Sequence, residues 1–185
     1  SRTYRAHRSN SSVRLQSESG RLLARCGKSM HAKGSGQIKI KGVGTYRGDL
    51  GVLPTEGASG SLNVVNKVNV NDYAAGVVPV EVYPSWPKET LKTMAVAARS
   101  IGLSTDVGGN GFDLYADTRT QVYGGLRKET GRTNGAVKAT HNEVVTYEGD
   151  IAQTTYFSSS GGRTESGFLG APNVPYLKSV KDPYD

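Results

Sequence analysis

Glu81 is the residue of this chain best placed to move a proton at a bond. It lies in Val78-Pro79-Val80-Glu81-Val82-Tyr83-Pro84, where prolines rule out a regular central strand. Apolar neighbours in such a rigid turn strip water from the charged form of an acid, the setting in which a carboxylic acid serves as a general acid. Lys92 and Arg99 follow on a segment with helical periodicity. At ~100° per residue their spacing separates them by roughly 20° around the axis and about 10 Å along it, so two cations line one edge of the helix. Further on, Gln121 and Tyr123 flank Val122 in a polar, aromatic stretch from Phe112 to Tyr123. Side chains that alternate in this way share a face and suit a groove wall. The run Ser158-Ser159-Ser160-Gly161-Gly162 after Tyr156-Phe157 offers hydroxyls and backbone N–H groups to a ligand.

The elements that must position these groups are legible from periodicity and caps. Pro87 suits a first helical position, since its missing N–H would be unpaired there. Leu91, Met94, Ala95, Ala98 and Gly102 recur at three- and four-residue spacing, which predicts a buried helix over about 87–105. A second helix is expected over about 129–140. Ile38 and Ile40 alternate with Lys39 and Lys41, and Leu50 to Leu53 and Leu62 to Asn66 follow across Gly/Ser turns, the pattern of an antiparallel meander. Asn71 or Asp72 would cap a helix of one to two turns before the Glu81 turn. Val144 to Tyr147 and Ile151 to Phe157 read as a hairpin around Glu148-Gly149-Asp150. The expected fold is α+β, a mostly antiparallel sheet packed on one long central helix. A basic extension is expected over residues 1–36 and the main domain over 37–185.

The chain has 185 residues and a formal net charge of +7, long enough for one sizeable core. The charge is uneven. Residues 1–50 hold eleven Lys and Arg against Glu18 and Asp49, while the remainder is slightly acidic. Such a segment suits nucleic acid, an anionic wall polymer or a membrane surface. Cys26 is the only cysteine, so an intrachain disulfide is excluded, and it reads as a small hydrophobe. No apolar run reaches membrane-spanning length and no signal peptide is visible. Opening on Ser1 rather than methionine, the chain is expected to be a mature or trimmed form.

The motifs Val77-Val78-Pro79-Val80-Glu81, Leu91-Lys92, Ala95-Val96-Ala97-Ala98-Arg99, Gln121-Val122-Tyr123, Tyr156-Phe157-Ser158-Ser159-Ser160-Gly161-Gly162 and Val174-Pro175-Tyr176-Leu177 occur in this order. Together they resemble the sporulation stage II protein D family, SpoIID/LytB type, over roughly residues 46–185. The resemblance implies a peptidoglycan lytic transglycosylase whose catalytic glutamate falls on Glu81, with supporting residues at Lys92, Arg99, Tyr156 and Ser160. It implies glycan strands as partner, a cell-wall or extracellular location with membrane contact peripheral at most, and a family domain that continues past Asp185. Members with a metal site carry Cys and His near the segment that here reads Tyr115 to Gln121. Neither residue type occurs there, so no metal or other cofactor is expected. Amidase-enhancer members imply a second reading, a wall-binding activator of an amidase without catalysis.

The chemistry agrees with a single acid. Ordinary glycosidases flank the bond with two carboxylates. A transglycosylase protonates the glycosidic oxygen with one glutamic acid, whose carboxylate then takes the proton of the sugar's own 6-hydroxyl as that oxygen attacks the anomeric carbon. Lys92 and Arg99 would hold carboxyl or N-acetyl groups, and Tyr156 and Ser160 would hydrogen-bond the sugar. A second carboxylate at Asp113 or Asp117 would instead mean hydrolysis. A serine hydrolase at Ser160 lacks the Gly-x-Ser-x-Gly elbow, with histidines only at 7, 31 and 141. A nucleic-acid module lacks a recognition motif, so nucleic acid is not an expected partner.

Overall fold

Asn69 marks the change from strands to helices. Its side chain accepts the Asn71 N–H at 2.9 Å, capping helix α1, Val70–Glu81. The computed structural model describes residues 3–109, 111–167 and 174–185, so Ser1 and Arg2 of the basic extension lie outside them. The fold is α+β, with three α-helices and antiparallel sheets among the described residues.

Before Asn69 the regular elements of the described residues are all strands. β1 (Tyr4–Ser9), β2 (Ser12–Ser17) and β3 (Leu22–Arg25) form one sheet in that order. β4 (Met30–Ala32), β7 (Asp49–Pro54) and β8 (Leu62–Lys67) form another, and β5 (Gln37–Ile40) with β6 (Gly44–Arg47) forms a hairpin. The three strands expected between 37 and 66 are present as β5, β7 and β8. They are divided between two sheets, because β7 takes β4 as its second neighbour.

α1 is the first departure from the sequence reading. It runs through Pro79 to Glu81, so Glu81 ends a three-turn helix instead of sitting in a turn. Pro79 has no N–H to return to Ala75, a cost normally avoided in a helix interior. Here tertiary burial offsets it. Ala74, Val77 and Val78 are fully buried, and each such valine contributes about 1.5–3 kcal/mol.

α2 (Lys88–Ser104) buries Leu91, Met94, Ala95, Ala98 and Ile101, the stripe read from the sequence with Ile101 added. Pro87 stands one residue outside as N-cap. The stripe meets α1 and α3 (Gly131–Ala139), and the three helices share one apolar core. Thr130 and Thr133 close a capping box at the start of α3. Gly102 on α2 lets a tyrosine in: a Cβ there would stand 2.8 Å from the Tyr73 ring.

The expected hairpin after residue 143 shrinks to β9 (Thr146–Tyr147) and β10 (Asp150–Ile151). Residues 152–157 do not pair as a strand. Thr154 turns to α2 instead, its hydroxyl donating to the Ala97 carbonyl at 2.9 Å. A strand needs its backbone groups in a ladder, and here Gln153 N–H goes to the Tyr176 hydroxyl at 3.0 Å instead.

Candidate active site

Glu81 leaves the C-terminal end of α1 half-buried. The segment from Tyr115 to Gly125 passes over that end and is stitched to it. Gly124 N–H donates to the Gly76 carbonyl at 2.9 Å, and the ring of Tyr123 occupies the space a Cβ at Gly76 would need. This brings the Val122 N–H onto Glu81 Oε1 at 2.7 Å. The donor is backbone, so nothing in the residue type at 122 signals it.

Next to that contact, Gln121 joins two phenols. Its Oε1 accepts from the Tyr73 hydroxyl at 3.0 Å and its Nε2 donates to the Tyr156 hydroxyl at 3.2 Å. Gln121 is 1% exposed, so both amide ends are committed inside the protein. Burial pushes the Tyr156 phenol up to about 12; the Gln121 amide pulls the other way, and the adjacent Glu81 carboxylate adds to the rise. Burial first, then Tyr156 and Glu81, hold Tyr73 well above the ordinary tyrosine range. Both phenols therefore stay neutral over the ordinary pH range. Tyr156 keeps 38% of its surface exposed while its hydroxyl bonds inward to Gln121, so the residue spans from the Glu81 cluster to solvent.

The six residues expected to surround Glu81 divide. Gln121 and Tyr156 are brought to it. Tyr123 is not: it stacks on Tyr73 with centroids 5.5 Å apart, and its hydroxyl donates to Asn66 at 2.9 Å. The 115–125 segment is not a strand, so Gln121 and Tyr123 do not share a face. Lys92 pairs with Glu89 one turn back, at 2.9 Å. Ser160 donates to Asp182 at 3.1 Å and accepts the Gly162 N–H, bonds that shape its own loop.

Arg99 departs most from expectation. It is fully buried, with Nε on Asn71 Oδ1 at 2.8 Å and Nη2 on the Val137 carbonyl at 2.7 Å. Ala95 O, Thr140 Oγ1 and Glu143 O complete its shell at 3.3 Å. The last carbonyls of α3 have no helical partner, and a cation is favourable at a helix C-terminus. Burial draws the Arg99 pKa down, while Glu143 acts in the opposite sense.

Two exposed aromatic residues were not singled out from the sequence. Tyr83 and Trp86, 69% and 43% exposed, pack at 5.6 Å between centroids immediately after Glu81. Arg132 fixes their turn by donating to the Pro84 and Trp86 carbonyls at 2.9 and 2.8 Å. The available signal was Tyr-Pro-Ser-Trp-Pro itself, large rings in a segment too rich in proline to bury them.

The residues at 115–121 do not fit a metal. Asp117 is bound to Arg119 at 2.6 Å, and Arg119 lies 3.6 Å over the Tyr115 ring. Among the described residues no three His, Cys, Asp or Glu side chains converge.

Residues 58–147 match the family described as Stage II sporulation protein, SpoIID. Through these residues the chain belongs to the SpoIID family. An uncharacterized protein of Brachyspira hyodysenteriae is 36% identical over 140 residues, covering 73% of this chain and 37% of that protein. The amidase enhancer of Bacillus subtilis is 39% identical over 111 residues, 60% of this chain and 15% of its own length. Stage II sporulation protein D of the same organism is 31% identical over 139 residues, 65% of this chain and 40% of its own length. The chain thus spans well under half of each of these relatives. The SpoIID segment includes Glu81, Tyr83, Trp86 and Gln121 and ends before Tyr156.

Proposed function

We propose that this chain acts at the bacterial cell wall and cleaves peptidoglycan glycan strands as a lytic transglycosylase, with Glu81 as the single acid and base. The observation that carries this reading is the setting of the Glu81 carboxyl. It accepts the Val122 N–H at Oε1, lies beside the neutral phenol of Tyr156, and enters none of the ion pairs among the described residues. Asp113 and Asp117 are exposed, and Asp117 is engaged with Arg119.

With Oε1 held by Val122, Oε2 carries the proton handed to the glycosidic oxygen. The same oxygen then takes the proton of the sugar's 6-hydroxyl as that hydroxyl closes on the anomeric carbon. Bond breaking and ring closure balance without water and leave a 1,6-anhydro-muramyl end. Orientation of the internal nucleophile takes the place of a second carboxylate. Tyr156 contributes a neutral donor beside the reacting groups. Tyr83 and Trp86 offer flat apolar surface on which a neighbouring sugar ring stacks, and Lys92 reaches a substrate carboxylate by giving up its exposed pair with Glu89. Ser160 contacts substrate only if its bond to Asp182 yields. The envelope location follows from this substrate; no described helix is long and apolar enough to cross a membrane.

The test is digestion of peptide-free glycan strands by the native chain and by Glu81→Gln, with products read by mass spectrometry. The native chain should give anhydro ends. The variant should lose at least about a hundredfold in rate, the lower end of a general acid–base contribution, with its melting curve unchanged. A second reading rests on the amidase enhancer relative: the chain binds glycan through the same groups and stimulates a wall amidase. Stimulation of an amidase by the native chain, with no anhydro product, would select it.

A further inference from the structure

The β1–β2–β3 sheet lies outside the SpoIID segment and has two unlike faces. Ala6, Leu15 and Ala24 stand abreast across it, and Arg8 pairs with Val13. Since paired residues point the same way, these five share one face. That face is covered at its Arg8–Val13 end, while Ala6 and Ala24 at the other end are exposed. Val13 is fully buried, β2 packs on β7, and the Arg8 guanidinium donates to the carbonyls of Thr55, Ala58 and Ser61.

The opposite face is cationic. His7, Arg14 and Arg25 stand abreast, and Arg5, two residues from His7, pairs with Gln16. Among the described residues Arg5, Arg14 and Arg25 enter no ion pair. No acidic residue alternates onto this face of the three strands. Neighbouring strands are ~4.8 Å apart and same-face residues along a strand ~6.7 Å apart. The guanidinium groups therefore form a two-dimensional array, suited to a chain of repeating anions more than to one small ion. Guanidinium forks match phosphate oxygens in pairs.

We propose that this outer face binds a linear phosphodiester polymer attached to the cell wall. The phosphodiester chemistry comes from the unpaired arginines; the wall as its source rests on the cell-wall reading above. Nucleic acid offers the same charges, but single-strand binders add rings on which bases stack. Tyr4, the one aromatic residue of these strands, is exposed, but it pairs with Ser17 and so stands on the face of Ala6 and Arg8, opposite the arginines.

The experiment is sedimentation of the full chain with wall fragments that carry polyol-phosphate polymers and with the same fragments stripped of phosphodiesters by hydrofluoric acid. Binding should be strong to the first and lost with the second. The triple variant Arg5→Gln, Arg14→Gln, Arg25→Gln should bind intact walls at least about tenfold more weakly. Its slope of log affinity against log salt should be shallower by about 2, at about 0.7 per cation for a single-stranded polyanion. A control with Lys33→Gln, Lys39→Gln and Lys41→Gln removes equal charge elsewhere in the basic segment and should bind nearly as the native chain does. Unchanged melting of both variants establishes that surfaces, not folding, were altered.

Equal binding to stripped walls, equal losses in the two triple variants, or tighter binding to duplex DNA or phosphatidylglycerol vesicles than to intact walls would overturn the proposal. Cleavage of peptide-free strands that lack the polymer should be the same in the arginine variant and the native chain. A failure of the transglycosylase reading is thereby told apart from a failure of this one.

Discussion

Around Glu81 the polar groups meet at a surface; around Arg99, eighteen residues later, they are sealed inside. Both clusters belong to the helical layer, and both contain a residue that the family motifs single out. Glu81 is half-buried, and its neighbour Tyr156 is open to solvent on one side. Arg99 has no exposed surface, and its donors go to Asn71, Ala95, Val137, Thr140 and Glu143. A charge on the edge of an apolar helix is thus not by itself a ligand group. What decides its role is whether another element closes over it, and α3 closes over Arg99 while Lys92 stays partly exposed and pairs with Glu89.

The comparison breaks most directly at Arg99. Arg99→Ala should cost about 3–5 kcal/mol of stability, because it opens a cavity and leaves buried carbonyls at the end of α3 without donors. Denaturant unfolding should register that loss, and the folded fraction should retain most of its cleavage rate per molecule. Full stability with lost activity would move Arg99 into the site.

Tyr156→Phe should act the other way. It removes the phenol from Glu81 and Gln121 and should lower kcat by about tenfold, the worth of one hydrogen bond to a charged group, with the melting temperature shifted little.

The same tyrosines sharpen the comparison through pH. Tyr123 and Tyr156 are pushed up to about 12, mainly by burial, against about 10 for an unfolded tyrosine. A raised folded value means that the neutral form is favoured in the native state. Its stabilisation is whole below about pH 10 and is lost as pH rises from there through about 12. Melting temperature should therefore be flat from neutrality to about pH 9 and fall beyond about 10, with a smaller fall in Tyr156→Phe.

How much of this was legible in the sequence depended on how local the deciding contacts are. The α2 stripe, α3 and strands β5, β7 and β8 follow from periodicity and caps that act within a few residues. Glu81 was readable as a chemical group from its apolar, proline-bounded setting, but not as a helix end. Pro79 argues against a helix locally, and only the burial of Val77 and Val78 against α2 overrides it. The interior position of Arg99 depends on Val137 and Thr140, and the bond from Val122 to Glu81 joins residues 41 apart through a backbone group. The Ile151–Phe157 strand failed because Thr154 finds its partner on α2. The sequence shows a β-prone run there, not where its hydrogen bonds go.

The smallest expected effect is at Lys92. An exposed pair such as Lys92 with Glu89 is worth well under about 1 kcal/mol, so Lys92→Ala should leave stability within about 0.5 kcal/mol. It should raise KM for strands bearing free muramyl carboxylates, leaving kcat nearly constant. A fall in kcat equal to that of Glu81→Gln would place Lys92 among the reacting groups and redraw the boundary of the site.

The central claim is that one carboxyl and the sugar's own hydroxyl suffice at Glu81. Digestion of peptide-free glycan strands in water enriched in oxygen-18 tests it in one step. Anhydro ends with no heavy oxygen are expected from the native chain and no product from Glu81→Gln. Reducing ends carrying oxygen-18 from the native chain would mean that water attacks the anomeric carbon, and would contradict it.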